Sequence, residues 1–440
     1  MSVADHGFEL PIFLRRALGW RVPRKIPFDT TVRLRADKPV WMLTHPDDIR
    51  HVLIANAQNY TKTRYLTSRA GRERVGEGLL SSTGADHHRQ RRLLQPLFHP
   101  EVLEPFCRTI VECTRERMQR WEPRAEFDLA GEMAELSQAI MIRALFGSLP
   151  AEECDRIAGA INDRRRYTQH LYYSHLPFRT RLPIPVVRNN RSAVLRLHEF
   201  IQRQIAQRRS NPQKREDFLS IFMSSTYPDG SAMSDQLIRD EVLTFTSTGY
   251  ETLGEGLAWS WYLLAQHPDA VERMRGELGA TLGSRPPRHA DFETLPFTAC
   301  VFREALRLYP PTWLFERVPQ TDDRLPSGLE VPAGAQLYLC QYIMHRHPGI
   351  FPEPEKFHPD RFAGAPKRVF RFNYLPFGDG AHACLGENFA MLQGVMVLAG
   401  IVGQFDLDVL PGQKVTPRAG ITLTPKRGIR VRATRLPPPG

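Results

Sequence analysis

The sequence lacks the features that define several classes of protein. Its 440 residues include only 6 cysteines and no C-x-x-C pair, which argues against a disulfide-bonded scaffold and against a zinc ribbon. The longest apolar candidate, 395–402, is far shorter than the roughly 18 residues that a membrane span needs. The N-terminus has no long apolar core of the kind found in signal peptides. These absences predict a cytoplasmic protein that has no transmembrane anchor.

What the sequence does contain is a globular composition with an excess of positive charge. Hydrophobic residues make up 42% and charged residues 24% of the chain, which is typical of folded domains. The formal net charge is +11 at neutral pH. An acidic partner, an anionic membrane surface and nucleic acid would each explain this excess, so the composition leaves the function open.

Hydrophobic periodicity predicts a mainly α-helical protein with a small β region and one shared core. A hairpin is expected over 29–44, and late strands near 329–340 and 420–433. Residues 436–440, Leu-Pro-Pro-Pro-Gly, are typical of an extended tail. Helical spacing fits the ranges 46–56, 87–95, 100–121, 128–146, 150–169, 188–208, 234–266, 269–281 and 297–308.

The segment 234–266 is predicted to form one helix, on the order of 50 Å long at 1.5 Å per residue. Ser234 is its expected N-cap, and Pro268 follows its end. Its centre, 246–252, reads Thr-Ser-Thr-Gly-Tyr-Glu-Thr, which is a poor choice for a buried helix. A tolerated local bend and a functional site explain this centre equally well.

A lone cysteine, Cys384, stands in the segment Phe377-Gly-Asp-Gly-Ala-His-Ala-Cys-Leu-Gly386. Most lone cysteines are small core residues. This one follows a glycine-rich loop and precedes a predicted helix, where the helix dipole and free N–H groups favour a thiolate. Gly386 admits the close approach of a flat group, and Phe377 offers a shielding ring. A thiolate with one open face suits an axial ligand of iron.

The pattern Phe-x-x-Gly-x-His-x-Cys-x-Gly resembles the haem-binding signature of the cytochrome P450 family in its bacterial form. The resemblance covers about 28–433, which leaves 1–27 as an N-terminal segment and 434–440 as a Pro-rich tail. It implies a single large domain that encloses haem b, with Cys384 as the axial ligand of the iron. It also implies binding contacts from Phe377, His382 and Gly386.

Three further motifs match the family in the expected order. Glu304-Ala-Leu-Arg307 resembles its E-x-x-R pair, and Pro359-Asp-Arg361-Phe362 supplies the arginine that is expected to complete a structural network with Glu304 and Arg307. Thr248-Gly-Tyr-Glu251-Thr252 resembles the oxygen-binding groove. By this resemblance Thr252 hydrogen-bonds dioxygen, and Glu251 reloads protons from water. Thr248 stands where the family usually has Ala or Gly, so it either narrows the groove or adds a hydroxyl.

The resemblance also implies how the haem propionates are held. The basic segment 87–92 places His87 and Arg91 on one helix face at spacing i, i+4, with His88 and Arg92 as the competing choice. Arg317 and His382 are the remaining expected donors. The substrate pocket is expected to be mostly apolar and to accept a bulky hydrophobic molecule such as a terpenoid, fatty acid, steroid or polyketide. Its expected lining residues are Phe245, Thr248, Thr312, Trp313, Phe315, Ile421 and Leu423.

The excess charge has two concentrations. Residues 163–191 hold seven arginines and one acid, interleaved with aromatic residues. Such a pattern can bind nucleic acid, but in the family this stretch is a lid over the substrate channel, and no nucleic-acid partner is expected. A second basic set is expected on the face where relatives dock an acidic electron-transfer protein. Its members are Arg89, Arg92, Lys367, Arg368 and Arg371.

The resulting hypothesis is a monomeric haem-thiolate monooxygenase. The chain has no room for a fused flavin domain and no Gly-rich dinucleotide fingerprint. Its electrons are therefore expected from a ferredoxin and a ferredoxin reductase, and its oxygen from O2. Two alternatives stay open at this point. One is a peroxide-driven or electron-independent haem-thiolate enzyme, and the weaker one is a basic nucleic-acid-binding protein.

Overall fold

The computed structural model describes residues 7–18, 22–35, 39–121, 126–173, 184–213, 215–364 and 372–437. Within them the helices are α1 (Ile12–Leu18), α2 (Pro46–Arg50), α3 (Arg64–Thr67), α4 (Arg69–Val75), α5 (Gly84–Leu94), α6 (Glu104–Met118), α7 (Leu129–Phe146), α8 (Ala151–Tyr173), α9 (Pro185–Ser210), α10 (Phe218–Ser224), α11 (Asp235–Thr248), α12 (Glu251–Leu264), α13 (Pro268–Leu282), α14 (Pro296–Leu308), α15 (Gln341–Met344) and α16 (Glu387–Val402). The predicted mainly α class is confirmed.

The strands are short, as a minor β region requires. In the described residues they are β1 (Gly7–Glu9), β2 (Lys25–Pro27), β3 (Thr31–Arg35), β4 (Val40–Leu43), β5 (Tyr60–Thr61), β6 (Glu126–Asp128), β7 (Phe315–Pro319), β8 (Asp323–Arg324), β9 (Glu330–Val331), β10 (Gln336–Leu339), β11 (Phe405–Val409), β12 (Pro417–Ala419), β13 (Leu423–Pro425) and β14 (Arg430–Arg435). The predicted hairpin over 29–44 is confirmed as the antiparallel pair β3–β4.

The largest sheet has the strand order β3-β4-β10-β7-β5, in which β4 and β10 are parallel and the other pairs are antiparallel. A second sheet joins β11, β14 and β6. β12 and β13 form a separate antiparallel pair near the chain's end. Residues from distant parts of the sequence therefore meet around one site, which a division into separate domains would not allow.

The main core is built from α6, α7, α12, α14 and α16, which pack side by side. Almost every residue of α16 is buried, which explains why its sequence is apolar on all sides. α12 is similarly enclosed, from Leu253 to Leu264. Because α12 and α16 are held rigidly at the centre, the segments attached to their N-terminal ends are fixed in position too.

The prediction of one continuous helix over 234–266 is wrong at its centre. α11 ends at Thr248 and α12 begins at Glu251, with Gly249 and Tyr250 between them. The Thr252 hydroxyl donates to the Thr248 carbonyl at 2.9 Å, so a side chain takes a backbone acceptor of the helix. A Cβ at Gly249 would lie 2.2 Å from Cε of Met141, which can move aside, and 2.9 Å from the carbonyl oxygen of Phe245, which belongs to the backbone.

The N-terminal segment 1–27 is not separate from the domain in its described part. Leu10, Leu14 and Ile26 are buried in a second cluster together with Trp313 and other residues of the large domain. β1 pairs with β2, which closes α1 over this cluster. The tail boundary also shifts, because β14 continues to Arg435. No helix among the described residues combines the length and apolar character that crossing a membrane requires.

A buried ionic network ties α14 to the loop that follows α15. Glu304 and Arg307 are both 0% exposed and form a two-fold hydrogen-bonded pair at 2.7 and 2.8 Å. Nε of Arg361 donates to Glu304 at 3.3 Å, so the expected three-residue network is present. Arg307 also donates to three backbone carbonyls, including that of His345.

His345 extends this network toward the cysteine loop, and sequence reasoning missed it. The imidazole is fully buried between the Arg307 carbonyl, 3.2 Å from Nδ1, and the Leu375 N–H, 2.9 Å from Nε2. Leu375 lies two residues before Phe377, where the loop begins. The network is therefore structural, and it positions the loop through His345.

We expect Glu304→Gln to lower the free energy of unfolding by about 3–5 kcal/mol, because it leaves Arg307 as an uncompensated buried charge. Urea denaturation would measure the loss. Asp360→Asn is the matched control, since its pair with Arg273 is solvent-exposed and is expected to contribute at most about 1 kcal/mol. Equal small losses in both variants would contradict the prediction.

Candidate active site

The cysteine loop is held in a fixed shape by its own backbone. The Cys384 N–H donates to the Phe377 carbonyl at 2.7 Å, which closes the loop. Gly380 has φ of +73°, and a Cβ on it would lie 2.0 Å from the carbonyl oxygen of Leu53. A Cβ on Gly386, in contrast, would meet nothing within 4 Å. The loop is thus packed on one side and open on the side of Gly386.

Cys384 is the one exposed cysteine of the six, all of which lie in the described residues. Its exposure is to an internal space, because surrounding protein raises the pKa of its thiol. The Gly386 N–H and the charge of Arg91 both lower the pKa of this thiol. The predicted effect of the helix N-terminus is therefore present but too weak to produce a thiolate by itself, and a bound metal ion would have to favour that form.

The basic helix α5 meets the cysteine loop through the predicted pair His87 and Arg91. His87 is 2% exposed, and its Nε2 lies 3.2 Å from Nδ1 of His382. Arg91 donates to the Ala383 carbonyl at 2.7 Å. The competing pair, His88 and Arg92, is solvent-exposed on the other face of α5, so the structure does not bring that pair to the site.

Two buried cations complete this cluster, and one of them was missed from the sequence. Arg317 is 7% exposed, and burial lowers its pKa to about 10. Lys62 is 8% exposed, and its pKa is lowered to about 7 by burial and by the nearby charge of Arg317. Lys62 Nζ donates to the carbonyls of Leu79 and Ser82. A lone lysine in a loop carries no recognisable motif, which explains the omission.

The two histidines of this cluster are neutral in the described structure. Burial and the surrounding cations lower the pKa of His87 to about 3 and that of His382 to about 2. His87 Nδ1 is buried and has no partner among the described residues. Lys62, Arg91 and Arg317 form no ion pair with a carboxylate of the described chain. The cluster therefore offers hydrogen-bond donors and positive charge, and no carboxylate of the described residues is ion-paired with it.

This arrangement fits haem b. The cations without an ion-paired carboxylate match a group with two carboxylates, and the open side at Gly386 leaves room for a flat macrocycle beside Cys384. Lys62, His87, Arg91, Arg317 and His382 would hold the propionates. Cys384 would supply the axial ligand, whose electron donation favours cleavage of an O–O bond.

Glu251 and Thr252, called the acid–alcohol pair below, lie at the break between α11 and α12. Glu251 accepts hydrogen bonds from Thr422 Oγ1 at 3.1 Å and from Gln169 Nε2 at 3.4 Å, so its carboxylate is turned toward α8 and the loop between β12 and β13. Thr248 is exposed in the middle of an otherwise buried helix pair, which shows that it faces an internal space. Its hydroxyl donates to the Thr244 carbonyl at 2.9 Å, so the methyl group is left to narrow the groove.

Three of the predicted pocket-lining residues have little accessible surface. Phe245 stacks on Phe98 at 5.3 Å between ring centroids and is enclosed in a group of phenylalanines. Trp313 is 2% exposed and donates from its indole to the Gly420 carbonyl. Leu423 is 0% exposed. These three side chains therefore offer less surface to a substrate than the other predicted lining residues do.

The remaining predicted lining residues keep accessible surface. Thr248 and Ile421 are exposed, and Thr312 and Phe315 are half-buried. Two of these four side chains are large and apolar and two carry a hydroxyl. A pocket lined by them would suit a hydrophobic substrate with few polar groups.

Only two of the five basic residues that are expected to dock an electron-transfer protein lie in the described residues. Arg89 pairs with Asp229 at 3.3 Å and lies over the ring of Tyr227 at 4.0 Å, so part of its charge is already engaged. Arg92 is solvent-exposed. Lys367, Arg368 and Arg371 lie outside the described residues, as do Arg179 and Arg181 of the arginine-rich segment.

Comparison with known proteins agrees with this geometry. The family model described as cytochrome P450 matches residues 30–431. Cyclooctatin synthase of Streptomyces melanosporofaciens is 35% identical over 88% of this chain and 84% of its own length. Cyclooctat-9-en-7-ol 5-monooxygenase of the same organism is 31% identical over 84% of this chain and 81% of its own.

A solved structure shows the same fold. The retinoic acid-bound cyanobacterial CYP120A1 matches with a TM-score of 0.80 over 90% of this chain and 89% of that chain, at 24% identity. The chain belongs to the cytochrome P450 family. It is therefore a haem-thiolate monooxygenase with a cysteine axial ligand.

A carboxylate clamp holds the loop after α4 against α11. Glu241 is 0% exposed, and its Oε1 accepts the Leu79 N–H at 2.9 Å. Its neighbour Asp240 accepts the Glu77 N–H at 2.9 Å. Oε2 of Glu241 has no partner among the described residues, and burial raises the pKa of Glu241 to about 7.

This carboxyl group makes stability depend on pH. Between about pH 4.5 and about pH 7 the folded chain keeps a proton on Glu241 that the unfolded chain has released. The stabilisation is therefore complete below about pH 4.5 and is lost as the pH rises to about 7. We expect Glu241→Gln to gain stability relative to the wild type across this window, by at most about 1.4 kcal/mol per pH unit. Urea midpoints of both proteins would show it.

The variant Glu101→Gln, at an exposed position, is the matched control for that comparison. The difference between its urea midpoint and that of the wild type gives the background. A Glu241→Gln difference that stays constant between about pH 4.5 and about pH 7 would contradict the raised pKa of Glu241. The charges of Lys62 and Glu241 influence each other's pKa, so the comparison is confined to pH values below about 7, where Lys62 is protonated.

We expect Lys62→Met to weaken haem retention. A hydrogen bond to a charged group contributes about 1.5–3 kcal/mol, so haem should leave about 10- to 100-fold faster. Transfer of haem to excess apomyoglobin would measure the rate. Arg92→Gln, which removes an exposed cation from α5, is the control. Equal rates in the two variants would exclude a contact between Lys62 and the propionates.

Proposed function

We propose that this enzyme hydroxylates a terpenoid, using O2 and two electrons delivered by a ferredoxin and its reductase. The balanced reaction is R–H + O2 + 2 electrons + 2 H+ to R–OH + H2O. The observation that carries the proposal is the pair Glu251–Thr252 at the break between α11 and α12. A reaction that consumes protons at dioxygen needs such a pair, whereas a peroxide-driven enzyme receives its protons with the oxidant.

The protein's part in this reaction follows from the positions of its side chains. Haem supplies the oxygen chemistry, as cofactors generally do. The proposed role of Thr252 is to hold a proton on its hydroxyl, which donates to the Thr248 carbonyl in the described structure. Glu251, whose carboxylate is turned outward to Thr422 and Gln169, would take a proton from water and rotate to return it to Thr252.

The terpenoid class is supported by the pocket and by the relatives. The accessible lining residues offer apolar surface and hydroxyl groups, and none of the four carries a fixed charge. The printed name of one relative specifies cyclooctat-9-en-7-ol, an unsaturated cyclic alcohol, as its substrate. A hydrocarbon-rich molecule with one hydroxyl group matches such a wall, because its single polar group can be satisfied by Thr312.

The electron supply is proposed from the charge of the chain. The net charge of +11 and the exposed Arg92 favour an acidic partner. A ferredoxin is an acidic protein of the required redox type. Its complex should form faster at low salt, since exposed charges are screened at high ionic strength.

We expect the haem-loaded protein to hydroxylate cyclooctat-9-en-7-ol with a plant-type ferredoxin and its NADPH-dependent reductase. Mass spectrometry of the product after incubation under labelled O2 would show one labelled oxygen atom. Cys384→Ala should abolish this product, while Cys154→Ala, at a half-buried position on α8, should retain it. Product formed with hydrogen peroxide but not with ferredoxin would overturn the proposed electron supply. Turnover of lauric acid in preference to the alkenol would overturn the substrate class.

A further inference from the structure

A second carboxyl group lies beside the acid–alcohol pair. Glu255 is four residues after Glu251 and three residues after Thr252 on α12. Residues at these spacings are neighbours on one helix face, with their Cβ atoms about 5–6 Å apart. Thr248, which faces the internal space, lies on this face as well. Glu255 therefore borders both members of the proposed pair.

Glu255 has no bonding role that would explain its position. The residue as a whole is half-buried, but its Oε2 is fully buried without a hydrogen-bond partner, and the side chain forms no ion pair with any described residue. A buried carboxylate without donors is strongly destabilising, whereas a neutral carboxylic acid is tolerated. Burial raises the pKa of Glu255 well above its usual value, and the negative charge of Glu251 adds to this rise. The group is thus stored in its protonated form.

The charged groups around Glu255 come from four elements. Glu251 lies on its own helix, Arg165 on α8, Arg418 on β12, and Asp128 at the start of α7. The two acids favour the neutral form of Glu255, and the two arginines favour the charged form. Burial outweighs the arginines, but their presence lowers the cost of a brief loss of the proton.

We propose that Glu255 stores the proton that reloads the Glu251–Thr252 pair during turnover. This inference rests on the proposed function of that pair. In the step, the O–H bond of the Glu255 carboxylic acid breaks and an O–H bond forms on the Glu251 carboxylate, directly or through one water molecule. Glu255 is left negatively charged between Arg165 and Arg418 until water returns a proton to it.

The stoichiometry of the reaction gives this store a purpose. Each hydroxylation consumes two protons, and Glu251 carries one at a time. A second acid on the same face supplies the next proton without a second approach of solvent. Water excluded from the groove protects the oxygen chemistry from side reactions, so a proton held inside has an advantage over one drawn directly from bulk water.

Glu255→Gln tests the proposal, because the amide has the same shape and cannot release a proton. With cyclooctat-9-en-7-ol as the probe, we expect hydroxylation to slow about tenfold, less than the full effect of a direct acid–base group. Peroxide released per NADPH should rise, as it should in Thr252→Ala. In the wild type the rate should fall as the pH rises through the raised pKa of Glu255, and this limb should be absent from the variant. Glu272→Gln, an exposed site on α13, is the matched control.

An independent readout uses the infrared C=O stretch of a neutral carboxylic acid in the haem-loaded resting protein at neutral pH, taken as the difference between the wild type and Glu255→Gln. Glu241, whose pKa is about 7, contributes equally to both spectra and cancels. We expect this difference band, and the same band when the two spectra are compared on a Glu251→Gln background. Absence of the difference band would overturn the proposal. So would a normal rate, pH profile and peroxide yield in Glu255→Gln when Thr252→Ala is impaired. If Thr252→Ala also behaves as the wild type, the proposed role of the pair itself is wrong.

Discussion

Uncompensated positive charge beside Cys384 is the constraint on which the site depends. Lys62 and Arg317 are almost fully buried, and no described carboxylate pairs with them. Burying such charges is destabilising unless an anion accompanies them. A cofactor with two carboxylates supplies that anion, so haem binding and the stability of the folded chain are linked. The cofactor is therefore a structural component of the core as well as its reactive group.

Separate contacts hold the cysteine loop and the break between α11 and α12 in position. The buried Glu304–Arg307 pair holds α14, and His345 transmits its position to Leu375 at the start of the cysteine loop. The break between α11 and α12 has its own contact, the hydrogen bond from the Thr252 hydroxyl to the Thr248 carbonyl. The cysteine loop and the break are thus held by separate sets of contacts.

Much of this could be predicted from the sequence because the motifs are local. The positions of Cys384, Glu251 and Thr252 follow from short patterns, and the helix ranges follow from periodicity. The enclosure of Phe245 and Trp313 was not predictable, since their partners are brought together only by the tertiary fold. Lys62 was missed for the same reason. Its ammonium group is held by the carbonyls of Leu79 and Ser82, in a loop that is bonded to Glu241, 162 residues beyond Leu79.

Glu251 and Glu255 show how one residue type acquires two roles through its surroundings. They share a helix face, yet Glu251 accepts two hydrogen bonds and Glu255 accepts none from the described residues. Donors stabilise a carboxylate, and their absence stabilises the acid. Pairs of carboxyl groups whose environments separate their protonation states are a recurrent basis of acid–base chemistry. Arg165, part of the arginine-rich segment, lies close enough to Glu255 to influence its charge. Some of the excess positive charge therefore acts inside the protein, on the proton supply, and not only on its surface.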